Sequence, residues 1–210
     1  MVRTGARART LRQILLTSGA VESASKPSAP RLEHFPTDVA EGITAMYHRL
    51  GGVLVEPRLA PGSWDLAFDG LVVELDEEMH FHRYRALTLN APWAARLPWT
   101  DNYRVFAASF EKRAGTGGKR WTNPSAERMF GPADPDGIFD FHGSPRWRQR
   151  ALYDAMKDAS AAAGLVRLAR ISIYDRIDEV LVNDILYGRA QVEPTAIKAF
   201  FDSRTVKTSP

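Results

Sequence analysis

The 210-residue sequence predicts an α/β domain with a mixed sheet, and three observations carry that expectation. Apolar residues recur at helical spacing over 37–50, and a second helical stretch covers 144–163. Two apolar runs, "WDLAF" and "LVVELD", flank an Asp69-Gly70 dipeptide suited to a two-residue type I′ hairpin turn. A further strand-like run, "LVRLARISIYD", follows the second helix. At 44% hydrophobic and 10% aromatic, the chain is long enough for one well-packed domain and too short for two large ones.

The elements follow in order. Residues 1–34 are rich in Arg, Ser, Ala and Pro and are expected to be a mostly disordered tail, with a helical turn or two over 11–16. Residues 35–210 are expected to form a single domain. Its first helix starts at Thr37 or Asp38, places Val39, Ile43, Met46, Tyr47 and Leu50 on one face, and stops at Gly51-Gly52. "VLVEPRL" reads as a first strand, and the hairpin supplies the next two. Residues 81–91 and 102–113 read as inserted helices. The segment 115–143 holds six Gly and three Pro and reads as irregular; its "GTGGKR" lacks phosphate-loop spacing and reads as a flexible basic loop. Ser144-Pro145 opens the long helix with a cap and a first-turn proline, and Gly164 closes it. "RIDEVLVNDILYG" and "PTAIKAFFDS" read as two C-terminal helices.

Several function classes drop out on composition. No run of about 18 apolar residues is present to span a bilayer, and the first residues lack the apolar core of a secretory signal, so a cytoplasmic protein without membrane contact is expected. With zero cysteines, disulfides, thiolate metal sites and cysteine nucleophiles are excluded. The net charge of +3 conceals an asymmetry. Residues 1–31 carry six Arg/Lys against one Glu, 32–101 carry five basic and eleven acidic residues, and 102–150 carry nine and five. An acidic block beside a basic one suggests a cation-binding centre flanked by a polyanion-binding surface, or simply solvated charge.

The hairpin sharpens the first alternative. With Asp69-Gly70 as a two-residue turn, Phe68 faces Leu71, Leu66 faces Val73, and Asp65 comes directly opposite Glu74. Alternation then puts Leu66, Phe68, Leu71, Val73 and Leu75 on a core face, and Asp65, Ala67, Val72, Glu74 and Asp76 on the other. Opposed carboxylates with Cβ atoms roughly 4.5–5.5 Å apart destabilise a sheet unless something compensates them. A divalent cation or a shared proton would do so. The alternatives are a solvated face or pairing with arginines such as Arg58.

The order α-β-β-β-α-β, with "PGSWD" and "VVELDEEMHFHRYRALTL" on the hairpin, resembles the core of the PD-(D/E)XK restriction-endonuclease-like superfamily, and within it the branch that includes very-short-patch-repair endonucleases. The resemblance covers residues 37–90 and 144–175. It implies a metal-dependent nuclease acting on DNA, with Asp65 and Glu74 holding Mg²⁺ or Mn²⁺ and Glu41 on the first helix as a further ligand. Asp76 then occupies the place of the family's catalytic lysine, a departure that leaves His80 as the substitute base or acid, with Glu78 and His82 behind it. Gln149 and Tyr153 are similar to the Gln-x3-Tyr element of RecB-type nucleases. Together with Lys119, Arg120, Arg146, Arg148 and Arg150 they are expected to contact nucleic acid. Two other readings stand beside this one: a catalytically inactive module of the same fold that binds nucleic acid or a protein, and a small-molecule hydrolase using His80 and His82 on a metal.

Overall fold

The computed structural model describes residues 5–115 and 121–206. In chain order the elements are α1 (Ala6–Thr17), α2 (Thr37–Arg49), β1 (Leu66–Phe68), β2 (Leu71–Asp76), α3 (Arg83–Thr88), α4 (Thr100–Ala114), α5 (Pro124–Phe130), α6 (Pro145–Ala162), β3 (Arg167–Ser172), β4 (Arg176–Ile177), β5 (Val180–Leu181), α7 (Val182–Leu186) and α8 (Pro194–Ser203). The fold is mixed α/β, with eight α-helices and a small mixed sheet among the described residues. None of these helices is long and apolar enough to cross a membrane. The chain divides into two compact units: Met1–Ser28, Ser63–Asp76 and Val166–Pro210 form the first, Ala29–Gly62 and Glu77–Leu165 the second.

In the first unit the hairpin has the register its sequence implies. Leu66 pairs with Val73, Ala67 with Val72 and Phe68 with Leu71, while Asp69 and Gly70 take φ of 49° and 73°, the two positive values a type I′ turn needs. β3 lies parallel to β2 on the other side, with Glu74 beside Arg170 and Asp76 beside Ser172. One sheet face, Leu66, Phe68, Val73, Leu75, Ala169 and Ile171, packs with Leu11 and Leu15 of α1 and with Ile197 and Phe201 of α8 in a single apolar cluster. Both sheet edges are covered. Residues 21–23 bond to β1 through Asp69 N to Val21 O and Ser23 N to Ala67 O, and Val206 N donates to Leu168 O on β3.

Three expectations are corrected here. The expected disordered tail contains α1, a helix of 12 residues whose Leu11 and Leu15 are buried one turn apart; Gly19 at φ 88° closes it, with Ala20 N reaching back to Leu15 O. Burial of that apolar pair outweighs the polar composition around it. "VLVEPRL" is not a strand: Val53 and Val55 stay exposed, and Pro57 removes a ladder donor. "RIDEVLVNDILYG" is a second tight hairpin, with Asp178 and Glu179 at positive φ, followed by the short α7.

The second unit is helical and built around α6. Ser144 caps that helix by accepting from Trp147 N at 3.1 Å, with Pro145 in the first turn, as its sequence implies. Trp147, Ala151, Leu152, Ala155 and Met156 form its buried side. α2 buries Ile43, Met46 and Tyr47 as expected. Arg85 of α3 and Asp158 of α6 form an ion pair of 2.7 Å, with both side chains sealed from solvent. The segment read as irregular contains α5, capped by Asn123 through Ala126 N.

Candidate functional site

The first unit gathers three of the predicted acids on one sheet face. Asp65 stands just before β1 and Glu74 lies in β2, and the two are tied together by the opposing backbones. Asp65 N donates to Glu74 Oε1 at 3.1 Å, and Leu75 N donates to Asp65 Oδ2 at 2.9 Å. Lys26 holds the same corner, donating to the carbonyls of Trp64 at 2.8 Å and Asp65 at 2.6 Å. Asp65 is exposed whereas Glu74 is buried. An all-oxygen donor set with one exposed member fits a hard divalent cation such as Mg²⁺ or Mn²⁺ better than zinc.

Asp76, expected in the lysine's place, faces a cation. Both of its carboxylate oxygens accept from Arg170 Nη1, at 2.9 and 2.7 Å, and both side chains are fully buried. Glu74, Asp76 and Arg170 thus share a face of adjacent parallel strands, with Arg170 directly beside Glu74 in the register. In the sequence, "LVRLARISIYD" reads only as a strand-like run. The signal was an arginine on an inward position, and only the parallel pairing of strands so far apart in the chain shows what it faces.

The remaining predicted residues belong to the second unit. His80 Nδ1 lies 2.8 Å from Asp154 Oδ2 on α6, both residues being largely shielded. In the neutral ring Nδ1 is then the donor and Nε2 the proton acceptor, a tautomer set by the carboxylate. Asp154 was missed, although it directly follows the predicted Tyr153. His82 has a different job: its Nδ1 accepts from Arg85 N at 3.3 Å as the cap of α3, and its ring stacks on Trp147 at 6.1 Å. Burial first, then the positive charge of Arg150, pushes His82 down to about 3, so it remains neutral and structural. Glu41 is exposed on α2. Lys119 and Arg120 lie outside the described residues.

On α6 the predicted basic residues separate. Arg148 donates to the carbonyls of Leu50 at 2.6 Å and Phe141 at 3.1 Å and lies over the Tyr84 ring. Arg150 lies over the Trp147 ring. Arg146, Gln149 and Tyr153 instead line one cleft, which Arg58 and Arg128 join from 51–62 and from α5. Gln149, almost fully buried, accepts from Arg146 Nη1 at 2.5 Å and donates to Ser125 Oγ at 3.3 Å and to Met129 Sδ at 3.1 Å. Burial pushes the Tyr153 phenol above its ordinary range, so its hydroxyl stays protonated.

A family profile, that of a family of unknown function (DUF7255), matches residues 45–188, more than half of the chain. The chain belongs to this family. A search of curated proteins and a search of solved structures found no match. The DUF7255 match takes in Asp65, Glu74, Asp76, His80, Asp154 and Arg170, and the cleft residues as well, while α1, α8 and Glu41 fall outside it.

Proposed function

We propose that this DUF7255 chain is a divalent-metal-dependent nuclease acting on DNA, with Asp65 and Glu74 as the metal-holding pair. The observation that carries the reading is the hairpin register, which sets two carboxylates of facing strands against each other and ties each to the other strand's backbone. A bound Mg²⁺ or Mn²⁺ would polarise a phosphoryl oxygen and lower the pKa of a coordinated water. Arg170 stands beside Glu74 on the face where the family pattern has a lysine, its charge met by Asp76. The sheet, with an antiparallel pair extended by a parallel strand reached through a long helix, supports the resemblance to the PD-(D/E)XK core.

The test uses variants that keep the hairpin bonds. Asp65→Asn and Glu74→Gln retain the oxygen that accepts the opposing amide but lose the ligand charge. The parent should cleave plasmid DNA when Mg²⁺ or Mn²⁺ is titrated in, and each variant should lose cleavage at least about a hundredfold with little change in melting temperature. A parent that cleaves with neither ion, or variants as active as the parent, would overturn the reading. One observation favours an inactive DNA-binding module of the same fold: Asp76 and Arg170 neutralise each other in full burial. Salt-dependent binding of DNA without cleavage is the result that reading expects.

A further inference from the structure

The cleft of the second unit has features that the metal pair does not explain. Its volume is about 900 Å³, within the range of small-molecule sites and too small for a length of duplex. Arg58, Arg128 and Arg146 converge on it from three different segments, and Glu56 is the one carboxylate among the lining residues described. That leaves a net charge of +2 in one hollow. Arg58 and Arg128 are exposed and have no carboxylate partner among the described residues, whereas Arg146 is clamped by the buried Gln149. The lining also includes the protonated Tyr153 hydroxyl and an apolar surface at Leu54.

Guanidinium forks match phosphate and carboxylate geometry, and two net positive charges match a dianion. The apolar surface beside them suits a base or ribose. We propose that the cleft binds a nucleotide through a terminal phosphate monoester, with Arg58, Arg128 and Arg146 on the phosphate and Leu54 on the sugar-base side. The site stands whether or not Asp65 and Glu74 hold a metal. Its ligand is either a free nucleoside monophosphate or the 5′-phosphorylated end of a single strand.

Calorimetric titration of the full chain in EDTA separates these sources, using adenosine monophosphate, a 5′-phosphorylated 12-mer, the same 12-mer with a 5′-hydroxyl, and succinate. Binding of the monophosphate together with the phosphorylated 12-mer supports a free-nucleotide site, and binding of the phosphorylated 12-mer alone supports a strand-end site. The Arg58→Ala/Arg128→Ala double variant should weaken binding at least about tenfold while melting as the parent does, since both side chains are exposed. Monophosphate affinity should rise from pH 5 to 7 as the phosphate loses its second proton near pH 6. Of the other groups lining the cleft, Glu56 is the one carboxylate, Arg58, Arg128 and Arg146 are the cations, and Tyr153 stays neutral. Equal binding of the hydroxyl and phosphate 12-mers, equal binding of succinate, no binding of any probe, or parent affinity in the double variant would each overturn the proposal.

Discussion

Arginine is used in opposite ways in the two units. Arg170, on a strand of the first, is wholly buried, and its charge is met by the equally buried Asp76. Arg58 and Arg128, around the cleft of the second, are exposed and meet no carboxylate among the described residues. A buried charge must be compensated inside the chain, because removing it from water costs several kcal/mol. An exposed one is stabilised by solvent and stays available to an external anion. Arg85 with Asp158, in the second unit, shows that the distinction follows environment, since that sealed arginine also has its carboxylate.

The comparison breaks most visibly if one buried partner is removed. Asp76→Ala or Arg170→Ala should each destabilise the protein by about 3–5 kcal/mol in chemical denaturation, with the joint Asp76→Leu/Arg170→Met change costing much less, because no lone charge is left buried. Wild-type stability in either single variant would remove the contrast.

His82 supplies a pH-dependent version of the same cost. Its folded pKa is about 3, far below the unfolded value near 6.5, so its contribution is fully present above about pH 6.5. As the pH falls the unfolded chain takes up a proton that the folded chain refuses, and several kcal/mol are lost progressively down to about pH 3. His82→Asn keeps an acceptor for Arg85 N and removes the titration, so its stability should depend less steeply on pH across that window. Parallel pH profiles for variant and parent would contradict the assignment.

Smaller effects probe the hairpin and the cleft. Gly70→Ala should cost about 1–2 kcal/mol, since φ is 73° and an added Cβ meets nothing nearby, leaving only the left-handed backbone penalty. Thermal melting measures it directly. Arg58→Ala and Arg128→Ala should each shift stability by no more than about 0.5 kcal/mol, in contrast to Arg170→Ala. A large loss at either would mean that the cleft arginines are structural.

Much of this was legible in the order of residues, and the legible parts share a cause. The hairpin register followed from Asp69-Gly70 and from alternation, because a two-residue turn sets every cross-strand pair locally. Capping residues likewise marked α6, and apolar spacing marked α2. Where local cues ran against burial they misled: α1 looked like a polar tail until Leu11 and Leu15 had a core to enter, and "VLVEPRL" looked like a strand that no partner joins.

The sequence by itself determined the type I′ hairpin, the opposition of Asp65 and Glu74, and the two main helices, all of which rest on interactions within a few residues or across one tight turn. Only the tertiary structure decided that Asp76 would meet Arg170, 94 residues away in the chain, that Asp154 would orient His80, and that Arg58 and Arg128 would join Arg146 around one cleft. Those pairings depend on which strand lies parallel to which and how helices pack, and no local propensity encodes the partner of a side chain so far along the chain.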